Sequence, residues 1–308
     1  MIEPYDYYNE YDSVAEKLSE IKSNVDTVTN FAQQKGYRIF WRGQANHEWG
    51  LTSSLARTLS TAAGVDDHLL NRVEQALLDE ASEWITDLHN QNYTHPLAKL
   101  AYLQHHGIPT RLIDFTSNPW MAVFFAAESL DKVDGRLFAI MVNETDCIDE
   151  TPPDTPWHEY PTNAIKIYNP EAAGIVFPRL TAQGGVLALG RLPSTTPHRK
   201  ANDKILNKSR ALLAEEVRKI LSVPFKLSRF DPGNAESPIP NRVKLPIGLT
   251  FRLHVNKESI RRDLAGLTRR NIFPRDAVAT HKTVYPDATG MVAHSKILLG
   301  LKQGVLVL

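Results

Sequence analysis

Three short stretches of this sequence carry side chains able to do chemistry. The first, Phe40-Trp41-Arg42-Gly43-Gln44, sets an arginine between an aromatic run and a glycine. A guanidinium offers a planar fork of donors suited to two-point binding of phosphate oxygens, and glycine lets backbone approach a ligand closely. A salt bridge from Arg42 to a neighbouring helix is an equally simple use of the same residue. The second stretch is Arg111-Leu112-Ile113-Asp114-Phe115-Thr116-Ser117-Asn118-Pro119. Strand alternation puts Leu112, Asp114 and Thr116 on one face, with Arg111, Ile113 and Phe115 on the other. An Asp and a Thr on so apolar a strand need partners, because burial without them costs about 1–3 kcal/mol each. Thr116 or Ser117 also suits the N-cap of a helix starting near Pro119. The third stretch is Arg179-Leu180-Thr181-Ala182-Gln183-Gly184-Gly185. There Gln183 stands at the edge of an apolar strand beside two glycines, where either a ligand or a plain hairpin turn can use it.

Other chemistries lack their signatures. The chain has no glycine-rich phosphate loop, no HExxH and no GxSxG. His105 and His106 are consecutive, so they cannot both face one metal from a helix surface; one packed and one solvated ring is the simpler expectation, and no metal site is expected. Cys147 is the sole cysteine, which excludes an internal disulfide and a cysteine-built zinc site. No apolar run reaches about 18 residues, so no membrane span is expected. The acidic, aromatic start MIEPYDYYNEYD does not read as a secretory signal. A reducing cytoplasm is the expected location.

The 35 Lys+Arg balance 35 Asp+Glu, yet residues 190–275 hold 19 basic against 7 acidic residues. That leaves +12 in this part and −12 in the rest. A dipolar, solvated surface accounts for it; a face for a phosphate-rich partner is the sharper reading.

Elements to position these residues are legible in the pattern. Val14, Leu18, Ile21, Val25 and Val28 predict a helix over 12–35, capped by Asp12 or Ser13 and stopped at Gly36. RIFWRG reads as a strand ending at Gly43. Residues 66–90 predict a helix whose apolar face is Leu69, Val73, Leu77, Ala81, Trp84 and Leu88, and 96–106 another opened by Pro96. RLIDF predicts a strand, Pro119 the start of a helix apolar all round, and 136–142, 163–168, 184–190 and IGLTFRLHV further strands. Amphipathic helices are predicted at LLAEEVRKIL and KESIRRDLAGL, and a proline-rich tether over 231–246. Strands and helices mix without βαβ regularity, which predicts an α+β fold. The expected division is an N-terminal helical segment over 1–36, a core over 37–190 and a basic part over 191–308.

Taken in order, four groups of residues resemble the FRG domain family, a bacterial and phage domain, over roughly residues 20 to 300. They are WRGQANHEWGLTSSLAR, the block from Gln104 through His105, His106 and Gly107 to Thr116, the run Arg179 to Gly184, and the turns Phe273-Pro274 and Tyr285-Pro286-Asp287. More distantly the chain resembles ADP-ribosyltransferases of the arginine–serine–glutamate type. Arg42 looks like their first element, Phe115-Thr116-Ser117 with the AVFFAAE helix like their second, and Gln183 falls where a glutamate would be the third. That resemblance implies a split antiparallel sheet with surrounding helices, and NAD as substrate. It puts Arg42 on a phosphate of the pyrophosphate, with Gly43, Gln44 and Arg111 lining the dinucleotide. Thr116 and Ser117 would brace the nicotinamide pocket, and Gln183 would bond the ribose hydroxyls. Gln183 carries no charge, whereas an oxocarbenium-like centre calls for a carboxylate; Asp114, or next Glu128, would substitute, or the site binds without turnover. His105 is the expected base. The activity implied is that of a toxin or anti-phage effector modifying a protein or nucleic acid, with an antitoxin partner. The alternative is a non-catalytic nucleic-acid or nucleotide-binding module that uses the basic part, including Arg261, Arg262, Arg269 and Arg270.

Overall fold

A computed structural model describes residues 12–60, 64–89, 93–149, 157–161, 164–192, 226–231, 233–234, 236–240, 245–254, 257–269 and 284–286. The strands are β1 (Ser13–Ala15), β2 (Arg38–Gln44), β3 (Ile113–Thr116), β4 (Gly135–Val142), β5 (Cys147–Ile148), β6 (Ile165–Tyr168), β7 (Gly185–Gly190), β8 (Lys226–Leu227) and β9 (Ile247–Leu253). The helices are α1 (Leu18–Gln34), α2 (Ser54–Leu59), α3 (Asp67–Trp84), α4 (Pro96–His105), α5 (Pro119–Ala127), α6 (Pro178–Ala182) and α7 (Lys257–Arg269). One sheet runs in the order β1-β9-β4-β2-β3-β7-β6-β5, and β8 also pairs with β9. The α+β content matches the sequence reading; a wholly antiparallel sheet does not. β1 and β8 run parallel to β9, and β5 runs parallel to β6, so the sheet is mixed at both edges. It also crosses both expected boundaries, since β1 and β9 come from the segments before and after the core.

β4 is buried along its whole length, so its two faces must each meet a layer. Leu137, Ala139 and Met141 join β9 and α1, α5 and α7 on one side, while Phe138, Ile140 and Val142 join Phe40, Ile113, Phe115 and Val186 on the other. That is the period-2 alternation of a central strand. α5 packs unusually close. A Cβ on Gly43 would lie 1.8 Å from the Ala122 carbonyl oxygen, and one on Gly135 2.4 Å from that of Ala126. The two glycines let the helix backbone rest on β2 and β4.

Several elements differ from the sequence reading for identifiable reasons. The first helix starts at Leu18 rather than Asp12, because residues 13–15 pair with Phe251–Leu253 as β1. Asp12 is no cap: it binds the buried Arg136 (Nη2 to Oδ2 2.9 Å) and Thr250. Val14 therefore leaves the helical stripe and stands half-exposed. Gly36 does stop the helix, at φ +69°. In α3 the inward face is Leu70, Glu74, Leu78 and Ala81, not the purely apolar row, and Trp84 lies in solvent at 81% exposure. Glu74 turns inward to meet Arg111. Arg111 Nε donates to Glu74 Oε2 at 2.5 Å and its backbone N–H to Oε1 at 3.1 Å, while Nη1 reaches Asp67 at 3.2 Å and Nη2 reaches Asn71. Trp157 Nε1 donates to the same carboxylate at 3.1 Å. Residues 193–225 and 270–283 and the tail from 287 lie outside the described residues, as do LLAEEVRKIL, the Phe273-Pro274 turn and Arg270.

Two stability outcomes follow. Gly43→Ala forces the α5 backbone off β2, and urea unfolding followed by tryptophan fluorescence is expected to give a loss of about 1–3 kcal/mol or more. Glu74→Leu leaves the Arg111 charge buried short of its main partner, for an expected loss of about 3–5 kcal/mol. The double variant Glu74→Leu/Arg111→Met is expected to recover much of it in the same assay; a double variant no better than Glu74→Leu would contradict this account.

Candidate functional site

β2 and β3 share one paired position among the described residues, Trp41 opposite Thr116, whereas β2 and β4 pair along seven. The sheet therefore splits next to Arg42. A cavity of about 740 Å³ lies against both strands there, lined among others by Arg42, Gly43, Gln44, Asp114 and Thr116. α4 contributes Gln104 and His105, α6 and its cap contribute Arg179 and Gln183, and Trp49, Arg57, Glu128 and Tyr285 complete the walls. Residues from three distant stretches of sequence thus face one space.

Arg42 bridges the split. Its Nη1 donates to the Asp114 carbonyl at 2.6 Å and lies 3.7 Å from the Asp114 carboxylate. Burial lowers the guanidinium pKa, with Asp114 opposing and Arg57 adding to the fall; an arginine so placed still keeps its charge. Asp114 projects a half-exposed side chain whose Oδ1 accepts from Gln104 Nε2 at 3.1 Å, and Gln104 Oε1 in turn accepts from Thr110 at 2.6 Å. Gln104 thereby aims the carboxylate. Arg57, held by the Thr52 carbonyl, adds a second guanidinium.

The second and third stretches are tied to one another. Thr116 Oγ1 donates to the Gln183 carbonyl at 2.5 Å, and the Ser117 hydroxyl and N–H both donate to the Gly184 carbonyl, at 3.2 and 2.9 Å. Gly184 turns there at φ +56°, where glycine is unstrained. Ser117 lies outside the cavity lining, and Thr116 is engaged in the joint. Neither caps the helix: Asn118 does, its Oδ1 accepting from the Trp120 N–H at 3.0 Å, while Thr116 accepts from the Asn118 N–H at 2.9 Å. Gln183 is the C-cap of α6 rather than a strand-edge residue, and its Nε2 donates to the Val284 carbonyl at 3.0 Å, which leaves Oε1 as an acceptor.

Glu128, just beyond α5, accepts from the Tyr285 hydroxyl at 2.8 and 3.0 Å. Burial together with this carboxylate keeps the phenol pKa well above its ordinary value, so Tyr285 stays a donor. The Arg179 guanidinium lies 5.6 Å from the Tyr285 ring centroid, within cation–π range. His105 stacks on Phe177 at 4.6 Å. The cavity thus holds Arg42, Arg57 and Arg179 against Asp114 and Glu128, a small cationic excess within a partly aromatic wall.

Two expectations are corrected. Arg111 is not among the cavity-lining residues; it is 3% exposed and bound to Glu74 and Asp67 of α3 and to the Gly190 carbonyl. Gly43 does border the cavity, but the side where its Cβ would stand meets α5, so its smallness serves helix packing. Of the basic residues named for nucleic-acid contact, Arg261 is bound to the Ala127 carbonyl and Asp131 (2.7 Å), and Arg262 pairs with Glu258 at 3.0 Å. Gln104, Arg57, Arg179 and Tyr285 were not singled out from sequence as site residues, although each sits in or at the end of a quoted motif.

Among the described residues no helix is long and apolar enough to cross a membrane. No curated protein and no solved structure matches the chain. The family model named FRG domain matches residues 37–135, from the start of β2 to the start of β4. That span supplies Arg42, Gln44, Arg57, Gln104, Asp114, Thr116 and Glu128, and stops short of Arg179, Gln183 and Tyr285. Over residues 37–135, about a third of its length, the chain is similar to the FRG domain family.

Proposed function

We propose that the cavity binds a pyrophosphate-bearing nucleotide, NAD first among them, and transfers its ADP-ribosyl group to a protein or nucleic-acid acceptor. The observation that carries this reading is the convergence of Arg42, Asp114, Thr116 and Gln183 with Arg57, Arg179 and Glu128 on one cavity of about 740 Å³, a volume suited to a ligand of nucleotide size. In this reading Arg57 and Arg42 Nη2 face the phosphates, where charge-assisted N–H bonds are strong, and Gln183 Oε1 accepts from a ribose hydroxyl. The bond from ribose C1′ to the nicotinamide nitrogen breaks, and its electron pair leaves with nicotinamide. The positive charge left at C1′ needs a carboxylate close by. Glu128 suits this better than Asp114, because its partner is a neutral phenol, whereas Asp114 already faces Arg42 at 3.7 Å. The acceptor nucleophile then forms the new bond to C1′ and passes its proton to His105. Use as a toxin or anti-phage effector, and restraint by an antitoxin, belong to the same proposal.

Calorimetry with NAD and with ADP-ribose, alongside mass-spectrometric detection of free nicotinamide in the presence of cell extract, tests the reading. Arg42→Ala is expected to weaken binding about 10- to 150-fold, the loss of a charge-assisted hydrogen bond. Glu128→Gln is expected to retain binding and lower nicotinamide release by about 100-fold or more. Binding without release in the wild type would reduce the site to a nucleotide receptor, and no binding at all would remove the proposal.

A further inference from the structure

Two polar atoms in the cavity wall are buried without a hydrogen bond among the described residues: Arg42 Nε and Gln44 Oε1. Gln44 as a whole is 8% exposed. Its orientation is fixed, because Nε2 donates at 3.2 Å to the Gly50 carbonyl, which can only accept; Oε1 is therefore the atom turned away from that bond. Arg42 is fixed likewise by Nη1 on the Asp114 carbonyl. The two residues are i and i+2 on β2, so their side chains leave the same face of the strand, and both line the cavity. A buried acceptor and a buried donor lacking partners are each unfavourable until something supplies the complement.

We infer that Arg42 Nε–H and Gln44 Oε1 form a recognition edge for a planar group carrying an acceptor and an N–H donor side by side. This rests on the nucleotide reading of the same cavity, and names the part of the ligand that the cavity selects. A primary carboxamide on a pyridine ring has that pair, and so does the 6-amino edge of a purine. Gln44 accepts the ligand N–H and Arg42 Nε donates to the neighbouring oxygen or ring nitrogen. Phosphate satisfies the donor only and leaves Gln44 unmet, so the edge discriminates among nucleotides rather than holding them.

The test compares NAD with its nicotinic-acid analogue, which loses the amide donor, and with the analogue whose adenine is replaced by unsubstituted purine, which loses the 6-amino donor without gaining a ring N–H. Nicotinamide, adenosine, nicotinic acid and purine riboside serve as fragments without phosphate. On the wild-type chain one analogue of the pair is expected to bind about tenfold more weakly than NAD, one hydrogen bond's worth, and which one identifies the group. Gln44→Leu is expected to bring NAD down to that analogue and to erase the difference. Equal binding of all three dinucleotides by the wild type, or undiminished discrimination by Gln44→Leu, would overturn the inference; the wild-type comparison stands even if the variant does not fold. Should no dinucleotide bind while nicotinamide or adenosine binds in preference to its analogue, the edge survives and the pyrophosphate reading fails. Should the fragments also fail to bind, the edge is refuted with it.

Discussion

The organisation of this molecule turns on the place where β2 and β3 stop pairing. After Trp41 and Thr116 the two strands part, and a strand interior in which pairing lapses leaves backbone groups that must find other partners. The Arg42 guanidinium takes over that duty at the Asp114 carbonyl, at 2.6 Å. A side chain thus stands in for a neighbouring strand. The consequence is a sheet that continues from β4 to β7 while holding a cavity in its middle. Arg42 is locked at one nitrogen and lines the cavity. An arginine wholly engaged elsewhere, or a strand pair closed along its length, would leave no such space.

Rigid elements hold the split open. α5 lies against β2 and β4 at the two glycines, so its C-terminal end delivers Glu128 to the cavity at a position fixed by backbone contact rather than by a flexible loop. Asn118 sets where that helix begins. On the other wall the hydroxyls of Thr116 and Ser117 grip the carbonyls of Gln183 and Gly184, which joins the end of β3 to the turn before β7. These hydroxyls are engaged in holding the cavity wall together. The buried Lys257, whose ammonium reaches the carbonyls of Ala45, Ser129 (2.7 Å) and Leu130 (3.0 Å), fastens α7 to the ends of β2 and α5. Burial lowers its pKa, yet three carbonyls around one ammonium keep its donors occupied.

Much of this was legible from residue patterns. Short β-rich and continuous apolar runs located β2, β4, β7 and β9, and proline at the first turn located α4 and α5. The failure on α3 lay in leaving a polar residue, Glu74, out of the buried face. On α3, Asp67, Asn71, Glu74, Leu78 and Ala81 recur at spacings of four and three, which is the signature of one helix face. A reading confined to apolar letters chose the neighbouring row and put Trp84 inside. The true face carries charge because Arg111 arrives from a different part of the chain, and no local pattern announces a partner 37 residues away. Asp12 misled for the same reason. It has the chemistry of a helix cap, and Arg136, more than a hundred residues on, claimed it. The short edge strands β1, β5 and β8 have too few residues for periodicity to register.

Arg42 and Arg111 illustrate what separates a structural arginine from one available for recognition. Either could have been a salt bridge or a phosphate ligand, and composition offers no means to choose. Arg111 meets one carboxylate through its Nε and backbone N–H, a second carboxylate and an amide oxygen, at 1% side-chain exposure. Its hydrogen-bonding capacity is matched internally, so an anion could enter only by breaking a buried pair, which is strongly unfavourable. Arg42 has the opposite balance. It meets a carbonyl closely and a half-exposed carboxylate only at 3.7 Å, retains 22% side-chain exposure, and has no partner for Nε among the described residues. A group whose charge is incompletely compensated, and whose donors are incompletely used, gains more from a ligand than one already satisfied. The same accounting applies to Gln44, pinned at one end and unmet at the other. Among the described residues, the two unmatched polar atoms that belong to cavity-lining side chains both lie on the strand that borders the split, which is where an incoming molecule would supply what the missing strand neighbour does not.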